Sequence, residues 1–261
     1  MANPVLQRLT NGPVAEVRLN RPDVRNAFNA ELIGALTGAF EELGGDESVR
    51  AIVLSGEGKV FCGGADISWM RASLELSYNE NVADAKAMSD MFRAIDRCSK
   101  PVIGKVHGAA LGGGAGLAAV CDIVIASADA VFGFTEVKLG IIPAVISPFV
   151  LAKIGVSNAR ALFLTGERFD AKRALHIGLV HEVVVADTLD VCIERITNEI
   201  VSAAPDAVAA AKALVPRVTS ATYDESRDIT ANAIAFQRTS PEGQEGLRAF
   251  LERRKASWIA Q

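Results

Sequence analysis

The chain has 261 residues, half of them hydrophobic and 22% charged, which is the balance of an ordinary globular protein. Its net charge is -4 with no block of Lys or Arg, which argues against a nucleic-acid partner. No run reaches the roughly 18 apolar residues that a membrane span requires, and no signal peptide is evident, so we expect a cytoplasmic protein without a membrane partner. The four cysteines and three histidines show no ligand spacing, which favours free buried thiols over a metal site.

The first half of the chain alternates strand-like and helix-like segments. Residues 5–10 and 14–19 flank an Asn-Gly-Pro turn and predict a hairpin, which a turn-rich loop over residues 21–26 follows. Asn29 is placed to cap a helix that ends at Gly44-Gly45, and residues 49–54 predict a buried strand. Residues 60–67 predict a strand end that opens into glycines and a helix. A longer helix is predicted over residues 79–98, with Met88 and Met91 in the core.

The central stretch, residues 100–122, organises the rest of the chain. An apolar run over residues 102–106 predicts a buried strand, and the triplet Gly112-Gly113-Gly114 lies where a helix begins. Amides at a helix start are unpaired and lie at the positive end of the helix dipole. Such amides hold an anion, or an oxygen that becomes anionic during a reaction.

Two other interpretations of these glycines are open. Gly114-x-Gly116-x-x-Ala119 fits a dinucleotide-binding fingerprint, with Asp129 as the ribose acid. That fingerprint needs its first glycine directly after the strand, whereas Gly114 follows Val106 by eight positions, so we interpret the match as accidental. Tight backbone packing accounts for one or two of the glycines but poorly for a whole triplet.

Strands are predicted again over residues 123–126 and 131–134, and from Thr188 onward the pattern is helical. The alternation through the first ~190 residues predicts an α/β class. The apolar faces beyond residue 200 exceed what a helical hairpin could hide, which argues for docking on the main domain or on another subunit. We therefore divide the chain into a core, residues 1–199, and a helical C-terminal region, residues 200–261.

Several ordered motifs give the chain a family resemblance. They are FCGGADI at 61–67, KPVI at 100–103, GAALGGG at 108–114, CD at 121–122, FGFTEVKLGIIP at 132–143, LTG at 164–166 and GLV at 178–180. Together they resemble the enoyl-CoA hydratase/isomerase (crotonase) family. The resemblance implies a spiral of ββα units, C-terminal helices that form a homotrimer or a dimer of trimers, and acyl-CoA thioester substrates. It implies no cofactor, since coenzyme A is part of the substrate.

The resemblance also implies a set of site residues. The backbone amides of Ala65 and Gly113 would form an oxyanion hole on the thioester carbonyl, and Glu136 would be the catalytic carboxylate. Phe250 and Arg253 match positions that contribute to the coenzyme A pocket, sometimes from a neighbouring subunit, although a solvated helix charge explains Arg253 equally well. The other substrate- or CoA-binding residues would be Asp23, Val24, Arg25, Gly63, Asp66, Ile67, Gly112, Gly116 and Pro143.

The chain departs from the family at one catalytic position. Two-carboxylate hydratases carry a glutamate two residues after the glycine triplet, where this chain has Gly116. Glu136 lies between Phe134 and the apolar pair Ile141-Ile142, so we expect burial to raise its pKa toward the range of proton transfer. A single carboxylate permits hydration if Glu136 carries out most of the proton transfer. It also permits a Δ3,Δ2-enoyl-CoA isomerase, and the fold further includes non-catalytic and RNA-binding members.

A narrower resemblance is to bacterial methylglutaconyl-CoA hydratases of leucine and acyclic-terpene breakdown. It rests on WM at 69–70, YNENVADA at 78–85, GGGAGL at 112–117 and PAVISP at 143–148. Their substrates carry a terminal carboxylate. The sequence leads us to expect this carboxylate near the space vacated at Gly116, where a second glutamate would repel it.

Overall fold

The computed structural model describes residues 4–259. Within them the strands are β1 (Leu6–Asn11), β2 (Val14–Leu19), β3 (Ala51–Gly56), β4 (Val102–Val106), β5 (Ala109–Leu111), β6 (Ile123–Ser127), β7 (Val131–Gly133), β8 (Arg168–Asp170) and β9 (Glu182–Val184). The helices are α1 (Ala30–Gly45), α2 (Ile67–Ser73), α3 (Tyr78–Arg97), α4 (Gly113–Val120), α5 (Ser147–Thr165), α6 (Ala171–His176), α7 (Leu189–Ser202), α8 (Pro205–Thr219), α9 (Tyr223–Thr239) and α10 (Pro241–Leu251).

Two sheets carry the fold. The larger has the strand order β1-β2-β3-β4-β6-β9, in which only the β1–β2 hairpin is antiparallel. The smaller has the order β5-β7-β8, with β5 and β7 parallel. Because the carboxyl ends of parallel strands meet at one edge of a sheet, the loops after β5 and β7 lie side by side. The predicted hairpin and the mixed α/β class are confirmed.

Helices cover both faces of the larger sheet. The N-cap side chain of Asn29 accepts the Leu32 amide, as predicted, and starts α1. Its apolar face joins Ile52 and Leu54 of β3 in the main core. On the opposite face Ala51 and Val53 pack with Leu189 and Ile193 of α7. Alternate residues of one strand thus serve two cores, as the two-residue repeat of a strand requires.

The C-terminal region is built of helices as far as Leu251, and residues 252–259 after it are not helical. The predicted boundary between residues 199 and 200 falls inside α7, which packs on the sheet, and the division into two domains stays a prediction. Helices α8 to α10 leave large apolar side chains in solvent, namely Tyr223, Phe236, Phe250 and Leu251. Across residues 4–259, no helix combines the length and the apolar character needed to cross a bilayer.

One local prediction was wrong and another was incomplete. Residues 60–67 form no strand, since Cys62 and Ala65 make only single bridges, to Ala110 and Phe28. Met88 is half-buried and packs against the main core, as predicted, but it also lines a cavity. The strand β5, which sequence reasoning missed, is the partner that holds the Cys62 segment in place.

Candidate active site

Parallel register brings two loops with free amides together. Cys62 pairs with Ala110 in parallel, so Ala65 and Gly113, each three residues further on, leave the pairing at the same end. A Cβ placed on Gly64 would lie 2.9 Å from the Leu111 carbonyl oxygen and 4.0 Å from Gly112 Cα, which fixes how closely the loops approach. Among residues 4–259, neither the Ala65 nor the Gly113 amide donates a hydrogen bond.

The glycine triplet is anchored by its first member. The Gly112 amide donates to the Gly133 carbonyl oxygen over 2.8 Å. Gly112 has φ +52°, a backbone conformation that residues other than glycine rarely adopt. Helix α4 begins at the next residue, which puts the Gly113 amide at the positive end of the helix. Two free amides at adjoining loop ends have the donors that stabilisation of an oxygen gaining negative charge requires.

Glu136 faces these amides from the end of β7. Leu111 pairs with Gly133 in parallel, so Glu136 leaves the smaller sheet at the same end as Gly113. Its Oε1 lies 3.3 Å from where a Cβ on Gly112 would be, and its Oε2 is buried without a hydrogen-bond partner in the described chain. Burial raises the pKa of this carboxyl, as expected from the sequence. A buried, unpaired carboxyl with a raised pKa suits proton transfer.

Ala65, Gly113 and Glu136 all line one cavity of about 430 Å³. Its apolar wall comes from α2, α3 and the segment after Glu136, and its remaining ionisable side chain is Asp84. The lining residues are Gly63, Gly64, Ala65, Trp69, Met70, Ser73, Asn81, Asp84, Ala85, Met88, Gly112, Gly113, Thr135, Glu136, Leu139, Ile141, Ile142, Pro143, Ala144, Val145 and Ile146. An apolar cavity with a few convergent polar groups is the usual form of a small-molecule site.

A buried polar network holds the Ala65 loop. The fully buried Asn26 donates from its side-chain amide to the carbonyl oxygens of Glu57, Val60 and Phe61, over 2.8, 2.9 and 3.2 Å. Arg21 contacts the buried Asp66 carboxylate over 2.7 Å. These contacts tie the turn-rich loop of residues 21–26 to the segment that ends at Ala65.

The contacts of Asp66 within the protein are structural, and its predicted role as a substrate contact stays a prediction. Its Oδ1 accepts the Ser68 amide at the start of α2, and its Oδ2 accepts from Arg21. Burial alone would raise the pKa of this carboxyl, but the hydrogen bonds from Arg21 and Ser68 outweigh it and lower the pKa. Asp66 lies outside the cavity and supports the amide of the residue before it.

The prediction of a vacated space at Gly116 was wrong. Gly116 is buried inside α4, and a Cβ there would lie 2.3 Å from Ile146 Cγ2 and 3.1 Å from Phe92 Cζ. The room that a second glutamate would need is filled by these two side chains. Gly116 is thus absent from the cavity wall.

The structure sorts the other predicted binding residues into two groups. Gly63, Gly112 and Pro143 line the cavity. The remaining residues lie outside it: Asp23, Val24 and Arg25 on the exposed loop before α1, Ile67 at the exposed start of α2, and Phe250 and Arg253 exposed on or after α10. The Arg25 carbonyl oxygen accepts the Gly63 amide over 2.8 Å, which links this loop to the cavity rim.

The dinucleotide interpretation finds no support in the geometry. Gly114 lies inside α4, and a Cβ there would be 2.3 Å from the Cys62 carbonyl oxygen, so this glycine permits close backbone packing. Asp129 is exposed in the turn between β6 and β7. Within residues 4–259, no group of three or more His, Cys, Asp or Glu is placed to hold a metal ion.

Sequence reasoning missed Asp84, Met88, Thr135 and Ile146, which all line the cavity. Asp84 and Met88 are four residues apart on α3, and such a pair shares one helix face. The available signal was that the helix face of Met88 carries polar residues, Asn81 and Asp84, in its first half. Ile146 carried no signal, because its contact with Gly116 is made across 30 positions of sequence.

Comparisons with known proteins agree over nearly the whole chain. A family model described as enoyl-CoA hydratase/isomerase matches residues 10–261. The short-chain-enoyl-CoA hydratase of Clostridium acetobutylicum is 36% identical, with coverage of 97% of this chain and 96% of that protein. A crystal structure of an enoyl-CoA hydratase from Shewanella pealeana matches with a TM-score of 0.94 at 38% identity, covering 97% and 96% of the two chains. Pseudomonas aeruginosa AtuE matches with a TM-score of 0.94 at 37% identity, covering 98% and 100%.

Proposed function

Because the chain belongs to the enoyl-CoA hydratase/isomerase family, we propose that it adds water to the double bond of a 2-enoyl-CoA thioester, or removes it. The family and fold inferred from the sequence motifs are confirmed. The observation that carries the proposal is the meeting of two free amides, from Ala65 and Gly113, with the unpaired carboxyl of Glu136 in one apolar cavity.

The proposed reaction proceeds through an enolate. Glu136 takes a proton from water as the water oxygen bonds to C3, and the electrons of the double bond move onto the thioester oxygen. The amides of Ala65 and Gly113 hold that oxygen while it is negative. The enolate then collapses, C2 takes the proton from the Glu136 carboxyl, and a 3-hydroxyacyl-CoA leaves. Water is added as OH on C3 and H on C2, and no cofactor is needed.

The test is purified protein against a panel of enoyl-CoA thioesters, with products identified by mass. We expect loss of the enoyl absorbance and a gain of one water. Glu136→Gln keeps the size of the side chain and should lower kcat by about 10² to 10⁴, the range of general acid–base catalysis. Glu47→Gln is the control, because Glu47 is exposed far from the cavity lining. Equal activity of the two variants would contradict the role of Glu136.

An isomerase is the second candidate. Its supporting observation is that Ile146 and Phe92 fill the place of the second glutamate, which leaves Glu136 next to the amides as the one catalytic carboxylate. Moving a proton from C2 to C4 needs only one base. A 3-enoyl-CoA substrate separates the candidates, since an isomerase returns a product of unchanged mass with a shifted double bond.

A non-catalytic role of the fold is the third candidate. The raised pKa and unpaired oxygen of Glu136 argue against it, because perturbed carboxyls of this kind cluster at functional sites. If Glu136→Gln left every acyl-CoA activity of the panel intact, this candidate would gain support.

The acyl group is a narrower proposal. Motif resemblance supports a branched carboxylated substrate, such as the 3-methylglutaconyl-CoA of leucine degradation. However, Gly116 offers no space for a carboxylate, and the described cavity lining has no Lys, Arg or His to neutralise one. We therefore rank short neutral 2-enoyl chains first and 3-methylglutaconyl-CoA second. A higher kcat/KM for 3-methylglutaconyl-CoA than for crotonyl-CoA would reverse this order.

Assembly and coenzyme A binding complete the proposal. The exposed apolar side chains of α9 and α10 support a homotrimer or a dimer of trimers, in which a neighbouring copy lends Phe250 and Arg253 to the coenzyme A pocket. The cytoplasm remains the predicted compartment. Light scattering coupled to gel filtration measures the mass, and a monomer would refute the assembly.

A further inference from the structure

A second carboxylate lines the same cavity as Glu136. Helix α3 presents Asp84, Ala85 and Met88 to it, and Met88 Cε lies 2.9 Å from where a Cβ on Gly113 would be. Met88 therefore packs against the amide that is proposed to hold the thioester oxygen. Asp84 lies one turn before Met88 on the same face, about 5–6 Å away between Cβ atoms. Asp84 thus borders the part of the cavity that lies one helical turn from the reacting carbonyl.

The carboxylate of Asp84 has no partner within residues 4–259. It is half-buried and takes part in none of the side-chain hydrogen bonds or ion pairs of the described chain. Burial raises the pKa of Asp84, with no neighbouring charge or hydrogen bond to offset the effect. The other ionisable group of the cavity lining is Glu136, also an acid.

We propose that Asp84 is a specificity-determining residue, which excludes acyl groups that carry an ionised carboxylate and so reserves the cavity for neutral chains. The proposal rests on the proposed hydratase function and names its substrate class. A second anion in this cavity meets Asp84 across an apolar space with no cation in the described wall. Like charges placed together in such a space raise the free energy of the complex. A neutral chain of the same length pays no such cost.

The test compares two substrates that differ by one terminal carboxylate, crotonyl-CoA and glutaconyl-CoA. The readout is the ratio of their kcat/KM values within each variant. We expect Asp84→Asn to lower the neutral-over-carboxylated ratio by about 10- to 100-fold, because a single like charge within one half-buried cavity acts on that scale. Asp84→Glu keeps the charge and should keep the ratio within about threefold.

Asp90→Asn is the matched control. Asp90 lies on the same helix but is exposed in the separate groove between α1 and α3, so this variant should leave the ratio unchanged. If Asp84→Asn also leaves the ratio unchanged, Asp84 does not select the acyl group. A ratio that rises in Asp84→Asn would mean that Asp84 holds carboxylated chains, and this too would overturn the proposal.

Binding separates this proposal from the proposed reaction. If the parent protein hydrates neither substrate, the hydratase function fails. The dissociation constants of butyryl-CoA and glutaryl-CoA, measured by calorimetry, then test Asp84 alone. The same 10- to 100-fold shift of their ratio in Asp84→Asn is expected, and an unchanged ratio refutes the role of Asp84.

Discussion

Gly116→Ala tests whether the place of the second glutamate is filled. An alanine Cβ would lie 2.3 Å from Ile146 Cγ2 and 2.9 Å from Ile146 Cβ, whereas carbon pairs pack best at about 3.5–4.0 Å. Overpacking of this kind costs roughly 1–3 kcal/mol, and a contact this short lies at the upper end. Alanine recovers about 1 kcal/mol relative to glycine within a helix. We expect a net loss of about 2 kcal/mol, which lowers the Tm by roughly 4–8 °C for a domain of this size.

The decisive result is whether Gly116→Ala lowers or raises the free energy of unfolding. If Gly116 faced open space, alanine would raise the free energy of unfolding by about 1 kcal/mol through helix propensity alone. The measurement is denaturant-induced unfolding of the parent and variant, followed by circular dichroism. A Gly116→Ala variant as stable as the parent, or more stable, would refute the packing described for α4.

Two changes at Ile146 make the test specific. Ile146→Leu removes Cγ2, the atom nearest to the new Cβ, whereas Ile146→Val keeps it. Each single change costs about 1 kcal/mol in a core. Combined with Gly116→Ala, the leucine should restore about 1–2 kcal/mol beyond additivity, and the valine should restore nothing. Identical behaviour of the two double variants would show that the clash lies elsewhere.

Three further predictions concern the site and its support. Burial raises the pKa of Glu136, so its contribution to stability is full below the unfolded pKa and is lost as pH rises through the folded one. Glu136→Gln should therefore match the parent's unfolding midpoint near pH 4 and exceed it near pH 8; the reverse order would contradict the burial. Asp66→Asn leaves the guanidinium of Arg21 without a counter-charge, with only the Ala27 carbonyl oxygen as acceptor. We therefore expect a loss of about 3 kcal/mol and a kcat that falls more than KM changes, because the Ala65 amide shifts. Arg253→Ala should raise KM for CoA thioesters several-fold with kcat nearly unchanged, if a neighbouring copy lends Arg253; an unchanged KM would exclude it.

Local signals in the sequence were enough for the regular elements. Asn29 capped α1 as expected because an N-cap depends on residues within one turn. The α3 helix was predicted within one residue at each end from its apolar spacing. The strand β5 was missed because its sequence, Ala-Ala-Leu, has no β-branched or aromatic residue, whereas the equally short β7 carries Val131 and Phe132. Its existence depends on pairing with β7, which is a tertiary contact.

The side chains around the site were harder to predict than the backbone. Glycines at a helix start, which are visible in the sequence, predicted free amides at residues 112–114, and the family resemblance singled out the amides of Ala65 and Gly113. The packing of Ile146 against Gly116 joins two elements 30 residues apart, and no periodicity within either element indicates it. Met88 packs against the main core as predicted, but its place in the cavity wall was missed, because apolar spacing identifies a buried face and not whether a cavity adjoins that face.

The site depends on register more than on any one side chain. Pairing of Cys62 with Ala110 and of Leu111 with Gly133 sets Ala65, Gly113 and Glu136 at one end of parallel segments. A shift of one residue in either pairing would turn an amide or the carboxyl away from the cavity. The buried Asn26 and the Arg21–Asp66 pair give further support to the Cys62–Ala65 segment, which is not itself a strand and pairs with β5 only at Cys62. A backbone amide cannot be removed by substituting a side chain. Substitutions of Asn26, Arg21 or Asp66, which position the Ala65 amide, should therefore be the commonest way to lose catalysis while the fold is kept.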